Sequence, residues 1–297
     1  MPTSSIAAAA HAHGSPAESA RSGDDFLVSP ADRQRFRERG YVTFHHVISE
    51  AEIAALELLY DHVSAGRVPG MGRDFCDMSA TYDTDPADFA LINAMLPRHY
   101  LPTLQGNVYE RISQSIARQL LGADMDLDYD QFLSKKPGKD RATFAMHQDM
   151  GYWPTNTPDT RTATCSLAIT DSLAGNGCIR FVPGSQRAQA LLPHRPKGAD
   201  ADADTNADRS ESHTMELALP AAAEVVLEEV RRGGISVHDE WIVHGSAGNP
   251  SDRWRKTYVI AYRSRATVAH ERAIGFTHSH NDSLAWRNAA PPLDRKP

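Results

Sequence analysis

Hydrophobic and polar positions divide the chain into a helical first part and a strand-rich second part. Ser29-Pro30 opens ADRQRFRERG, where an N-cap serine, a proline at the first helical position and a closing Gly40 predict a short helix. Tyr41 to Val47 alternates and carries β-branched and aromatic residues, which predicts a strand. Ser49 with Glu52 three positions on forms a capping-box pattern, and Ile53, Leu56, Leu59 and Tyr60 give the following helix, 50–65, an apolar face. Val108, Ile112, Ile116 and Leu120 recur at helical spacing and predict an amphipathic helix over 104–121.

From Leu127 the texture changes to short runs separated by turn residues. The pattern predicts strands over 128–135, 142–150, 161–171, 178–182, 215–219, 224–230, 234–238, 240–244 and 256–264. Strands this short and this regularly punctuated make the fold mainly β with flanking helices, in a sandwich or barrel. Residues 1–25, rich in Ala, Ser, Gly and Pro without a sustained period, read as a disordered tail. A single domain is expected over 26–280, followed by an irregular tail, 281–297. The acidic, aperiodic stretch 196–212 reads as a long surface loop, a feature that often serves as a lid.

Composition narrows the function. The 297 residues are 41% hydrophobic and 23% charged, enough for a full core. A net charge of −7 argues against broad attraction to nucleic acid or an anionic membrane. No run approaches the ~18–20 apolar residues of a membrane span. No basic segment precedes the short apolar run Ile6–Ala10, so it makes a poor signal peptide. Cys76, Cys165 and Cys178 lack metal or redox spacing and fit buried thiols in a reducing compartment, so the expected location is cytoplasmic. Nothing in the sequence bears on oligomeric state.

The candidate chemistry lies in two distant segments. His147-Gln148-Asp149 stands in TFAMHQDMGYWP. On a strand, His147 and Asp149 would point to one face and Gln148 to the other, delivering an imidazole and a carboxylate to one place. A third donor must come from elsewhere, and His244, in an apolar run ending at Gly245, is the best placed. Two histidines and a carboxylate are the facial set that holds non-haem Fe(II) with open positions. They also suit zinc, so a zinc hydrolase or isomerase on a cupin-like barrel fits the same donors. Arg255 follows in a strand-like run and suits the distal carboxylate of a 2-oxo acid through a planar, bidentate fork, with Arg253 as a competitor.

These segments resemble the phytanoyl-CoA dioxygenase family of Fe(II)- and 2-oxoglutarate-dependent oxygenases. The matching stretches are KKPG at 135–138, HQDMGYWP at 147–154, AITDSLAGNGCIRFVPGSQ at 168–186 and GGISVHDEWIVHGSAGNPSDRWRKTYVIAYR at 233–263. FRERGYVTFHHVISEAEIAAL resembles the family's opening, and the likeness spans roughly 30–265. The resemblance implies a double-stranded β-helix core (jelly-roll, cupin-like). It implies Fe(II) on His147, Asp149 and His244, with 2-oxoglutarate as co-substrate and O2 as oxidant. It further implies Arg255 and Ser246 on the 2-oxoglutarate carboxylate, and, through KKPG, Phe132 and Ser134 near the same molecule. Tyr152 and Trp153 suit either stacking on a substrate or core packing, and Trp241 and His238 suit the site or strand packing. Asp149 separates this chain from halogenating relatives, which lack the carboxylate. The implied reaction is hydroxylation of a small-molecule substrate, a natural product or amino-acid-like compound, with release of succinate and CO2. Gln186 and Ala247 depart from the family's usual His and Gly, and the 196–212 loop weakens any transfer of substrate identity. A silent relative that only binds is the remaining alternative.

Overall fold

The computed structural model describes residues 18–23, 25–154, 156–196, 214–220 and 222–283. Two antiparallel sheets face one another, as in a jelly-roll. The larger has seven strands, in the order Tyr41–Phe44, Ile235–His238, Thr162–Ala168, Arg255–Ser264, Met125–Lys135, Leu91–Met95 and Phe75–Asp77. The smaller has four: Val226–Glu228, Ile179–Phe181, His244–Ser246 and Phe144–His147.

Strand alternation assigns the two faces of the large sheet. Phe132, Cys165, Leu167, Val237, Tyr258 and Ile260 join the core cluster on one face. Helices Glu50–Ser64 and Val108–Leu121 lay Ile53, Leu56, Tyr60, Ile112 and Ile116 into the same cluster. The residues between them on these strands, Gln131, Leu133, Thr164, Ser166, Thr257 and Val259, line a cavity on the opposite face, between the sheets. One sheet therefore has a greasy back and a polar front.

The helix ends follow the sequence signals. Ser29 Oγ accepts from Asp32 N, and Gly40 closes the Pro30–Arg39 helix at φ 82°. Ser49 and Glu52 form the reciprocal capping box. Asn107 caps the Val108–Leu121 helix, which begins inside the predicted 104–121.

Several expectations change. Order begins earlier than Phe26: Ala20–Ser22 pairs with Asp25–Leu27, and Arg21 grips Glu52 through two guanidinium nitrogens at 2.6 and 2.7 Å. The remainder of the expected tail, 1–17 and 24, lies outside the described residues, as do 197–212 of the expected loop and 284–297 of the C-terminal tail. Residues 240–244 are not a strand. Asp239 accepts from Trp241 N at 2.8 Å, a side-chain turn that breaks the extended run, and pairing starts only at His244. The strands Phe75–Asp77 and Leu91–Met95 and the helix Arg265–Ala273 were not foreseen. All three cysteines are buried and free. Among the described residues no helix is long and apolar enough to cross a membrane.

Candidate functional site

The small sheet brings the two histidines together. His244 lies directly opposite His147 in the antiparallel ladder, and their ring centroids are 4.2 Å apart. Gly245 allows this approach, because a Cβ there would stand 2.9 and 3.0 Å from the carbonyls of Phe144 and Ala145. His147 is the last residue of its strand. Asp149 opens a short 3-10 turn, Asp149–Gly151, so strand alternation is not what turns its carboxylate inward. The convergence still occurs: Asp149 Oδ1 lies 3.5 Å from the Nε2 of both His147 and His244.

The imidazoles are oriented by their other nitrogens. His147 Nδ1 lies 2.8 Å from Ala145 O and His244 Nδ1 3.1 Å from Ile242 O. Carbonyl oxygens only accept, so both Nδ1 atoms carry a proton, and Nε2 is the nitrogen each ring turns to the carboxylate, free to bind a metal when the ring is neutral. Burial opposes ionisation of Asp149, but the facing His244, His147 and His238 rings outweigh it and hold the carboxyl well below the usual carboxylate range. Burial, reinforced by His238 and His147, pushes His244 well below the usual imidazole range. An anionic oxygen and two lone-pair nitrogens therefore crowd one point. That donor set fits a divalent cation of the non-haem iron kind, with carbonyl-bonded histidines behind it.

One hydrogen bond holds the far oxygen of Asp149, with an imidazole ring close by. Thr164 Oγ1 donates to Oδ2 at 2.9 Å, and His238 Nε2 lies 3.4 Å from it. His238 was foreseen only as a neighbour of the site and Thr164 not at all. The alternation in TATCSL could have placed Thr164 inward once that strand was assigned to the large sheet.

Arg255 and Arg253 separate cleanly. The Arg253 side chain is 79% exposed, whereas Arg255 is buried on the cavity wall at 6% exposure. Arg255 Nε donates to Ser172 Oγ at 3.2 Å, and among the described residues no carboxylate pairs with its guanidinium. Burial pulls its pKa down. Across the ladder its register partner is Lys135, whose Nζ donates to Ser246 Oγ at 2.7 Å and to Ala247 O. A guanidinium, an ammonium and a serine hydroxyl thus gather at one end of the cavity. Lys135 was missed because, as half of a KK pair, it reads as a solvated charge.

Phe132 and Ser134 are corrections. Both point to the helical face: Phe132 stacks on Tyr60 at 4.2 Å between ring centroids, and Ser134 Oγ bonds Tyr60 Oη at 2.9 Å. A one-residue slip in the carry-over from KKPG exchanges the faces of a strand, so Gln131 and Leu133 line the cavity instead. Trp153 is a core residue, edge-on to Tyr129 and 4.2 Å above the Arg263 guanidinium. Tyr152 stands edge-on to His147, and its hydroxyl accepts from Met215 N at 2.9 Å. Trp241 packs beside the Trp153 cluster and, like Tyr152 and Trp153, is outside the cavity lining.

The cavity holds about 580 Å³ of empty space, its mouth included. Its wall around the metal-type donors carries Tyr129, Gln131, Thr164 and Ser166 among apolar side chains such as Leu133, Ile179 and Val259.

A family profile described as phytanoyl-CoA dioxygenase (PhyH) matches residues 36–257. Among curated proteins, an ectoine dioxygenase of Bordetella parapertussis is 27% identical over 156 residues, covering 52% of this chain and 48% of the relative. A phytanoyl-CoA dioxygenase domain-containing protein 1 of Danio rerio is 28% identical over 164 residues, covering 54% and 53%. The chain spans about half the length of the curated relatives it matches. Among solved structures, EvdO2 from Micromonospora carbonacea var. aurantiaca is similar at a TM-score of 0.65 and 26% identity, covering 80% of this chain and 91% of that one. EvdO2 has also been solved with 2-oxoglutarate. EctD from S. alaskensis, solved with 2-oxoglutarate and 5-hydroxyectoine, shares the fold at a TM-score of 0.60 and 18% identity, covering 81% and 77%.

Proposed function

The chain belongs to the phytanoyl-CoA dioxygenase family, and on that premise we propose that it is an Fe(II)- and 2-oxoglutarate-dependent oxygenase that hydroxylates an unactivated C–H bond of a small molecule. The observation that carries this reading is the pairing of a His-Asp-His donor set with a buried, acid-free guanidinium in one cavity. A zinc hydrolase would use the donors but leave Arg255 and Ser246 without a role.

In this reading His147 Nε2, His244 Nε2 and Asp149 Oδ1 hold the metal, and the Nδ1–carbonyl bonds keep both rings aimed at it. Thr164 occupies Asp149 Oδ2, with His238 Nε2 3.4 Å away, which would leave Oδ1 for the metal. Arg255 takes the distal carboxylate of 2-oxoglutarate, as its planar fork suits two charge-assisted bonds. Ser172 fixes the Arg255 Nε edge, and Lys135 keeps Ser246 Oγ engaged beside it. When bound, Fe(II) with the 2-oxo acid would supply the oxygen activation, one atom of O2 going to the substrate and the other to succinate while the 2-oxo acid loses its carboxylate as CO2. The protein's share is positioning and exclusion of water.

The substrate we propose is a natural product or amino-acid-like compound, uncharged where it meets Tyr129, Gln131 and Ser166. The ectoine dioxygenase and EvdO2 likenesses support small-molecule chemistry over a protein or nucleic-acid target. Three free buried thiols suit a reducing, cytoplasmic setting. The test is 2-oxoglutarate turnover: succinate should form only with added Fe(II) and rise with a cognate substrate. Succinate formation that ignores iron, or none with any substrate while iron binds, would refute oxygenase activity.

A further inference from the structure

Gln148, between two proposed metal ligands, points away from the metal yet is more deeply buried than either, at 1% exposure. Its carboxamide is fully used. Nε2 donates to Trp241 O at 2.7 Å and to Ala190 O at 3.1 Å, while Oε1 accepts from Leu192 N at 2.8 Å. Its backbone N–H donates to His194 Nε2 at 2.9 Å. His194 Nδ1 lies 2.7 Å from Leu192 O, so its proton sits there and Nε2 offers a lone pair to Gln148. The ring is seated on Gly151, where a Cβ would stand 2.8 Å from His194 Cδ2.

We propose that Gln148 and His194 form a clamp that sets the spacing between the two halves of the metal site, and that both are positioning residues for metal binding. This rests on the iron reading above and adds residues to it. The need for a clamp lies in the sheet. The ladder that joins Phe144–His147 to His244–Ser246 shifts register between His244 and Ser246, and Asp149 is already beyond the strand. Beyond the ladder the main chain adds one long bond, from Met150 N to Glu240 O at 3.4 Å, so backbone pairing fixes the approach of Asp149 to His244 only weakly. Gln148 bridges that gap through Trp241, three residues before His244, and ties both sides to the segment 190–194, which has no helix or strand of its own. A metal site built on loops tightens only when such outer partners hold its ligands.

The test uses the full chain stripped of metal and titrated with Co(II), read by ligand-field absorption, alongside thermal unfolding of the metal-free protein. Gln148→Leu keeps the volume and removes three hydrogen bonds. His194→Phe removes the acceptor, and His194→Gln can restore it. Wild type should bind one Co(II) and Asp149→Ala should not. Gln148→Leu and His194→Phe should bind about 10- to 100-fold more weakly, with His194→Gln closer to wild type. Affinity within about twofold of wild type for His194→Phe, whatever its melting temperature, would overturn the clamp and leave the iron reading intact. A wild type that binds no Co(II) would overturn both. Should Gln148→Leu fail to fold, the contrast between His194→Phe and His194→Gln decides.

Discussion

Replacing Arg255 by Met separates ligand binding from stability, because the guanidinium is buried without an acid beside it. Its guanidinium donates to an uncharged acceptor, Ser172 Oγ, at 3.2 Å, and among the described residues no carboxylate offsets the cost of burial. In the free protein such a cation contributes little or is unfavourable, since desolvation is uncompensated. With a dicarboxylate bound, it would make two charge-assisted bonds whose loss costs ~2–4 kcal/mol. At 1.4 kcal/mol per tenfold, that is roughly 30- to 700-fold in affinity. The assay is calorimetric titration of 2-oxoglutarate into Co(II)-loaded wild type and Arg255→Met, with urea unfolding of both metal-free proteins. We expect the affinity loss with no loss of stability in the metal-free state. Affinity within about threefold of wild type would refute Arg255 as the anchor. A stability loss of several kcal/mol would show that the fold, not the ligand, needs the charge.

The corrected position of Phe132 predicts the opposite split: Phe132→Ala should cost about 3–5 kcal/mol of stability and leave 2-oxoglutarate affinity within about twofold, as measured by urea unfolding and titration. Asp130 supplies a pH prediction, because burial pushes its carboxyl up to about 7 even though Tyr258 Oη donates to it at 3.1 Å. The folded state keeps a proton that the unfolded state loses from its ordinary value of 3.8 upwards, so stability falls as pH rises from about 4 to about 7 and then levels. At ~1.4 kcal/mol per pH unit for one proton, the fall is on the order of 4 kcal/mol. Asp130→Asn should abolish this group's share, and unfolding curves at pH 4.5 and pH 8 that keep the wild-type difference would refute it.

The three side chains proposed as metal ligands and the capped helices were legible in the sequence because each signal is local or carries strong chemistry. His147, Asp149 and His244 could be named without knowing that Asp149 sits in a turn, since a short turn and a strand both return the carboxylate to the same side. Phe132 and Ser134 were misplaced because side-chain direction has a period of two, and motif alignment with an error of one residue inverts it. Leu91–Met95 escaped because all five residues are buried, and LINAM, apolar except for Asn93, shows neither helical nor alternating period. Arg265–Ala273 escaped because Ser264 ends a strand and caps the helix at once, leaving no loop to mark the change. Lys135, Thr164 and Gln148 act through partners distant in sequence, which spacing alone does not reveal.

The most direct measurement is iron-edge anomalous diffraction from crystals of the chain loaded anaerobically with Fe(II). The account predicts one strong peak within about 2.0–2.3 Å of His147 Nε2, His244 Nε2 and Asp149 Oδ1, absent in Asp149→Ala. Iron elsewhere, or a peak that ignores any one of the three side chains, would contradict it.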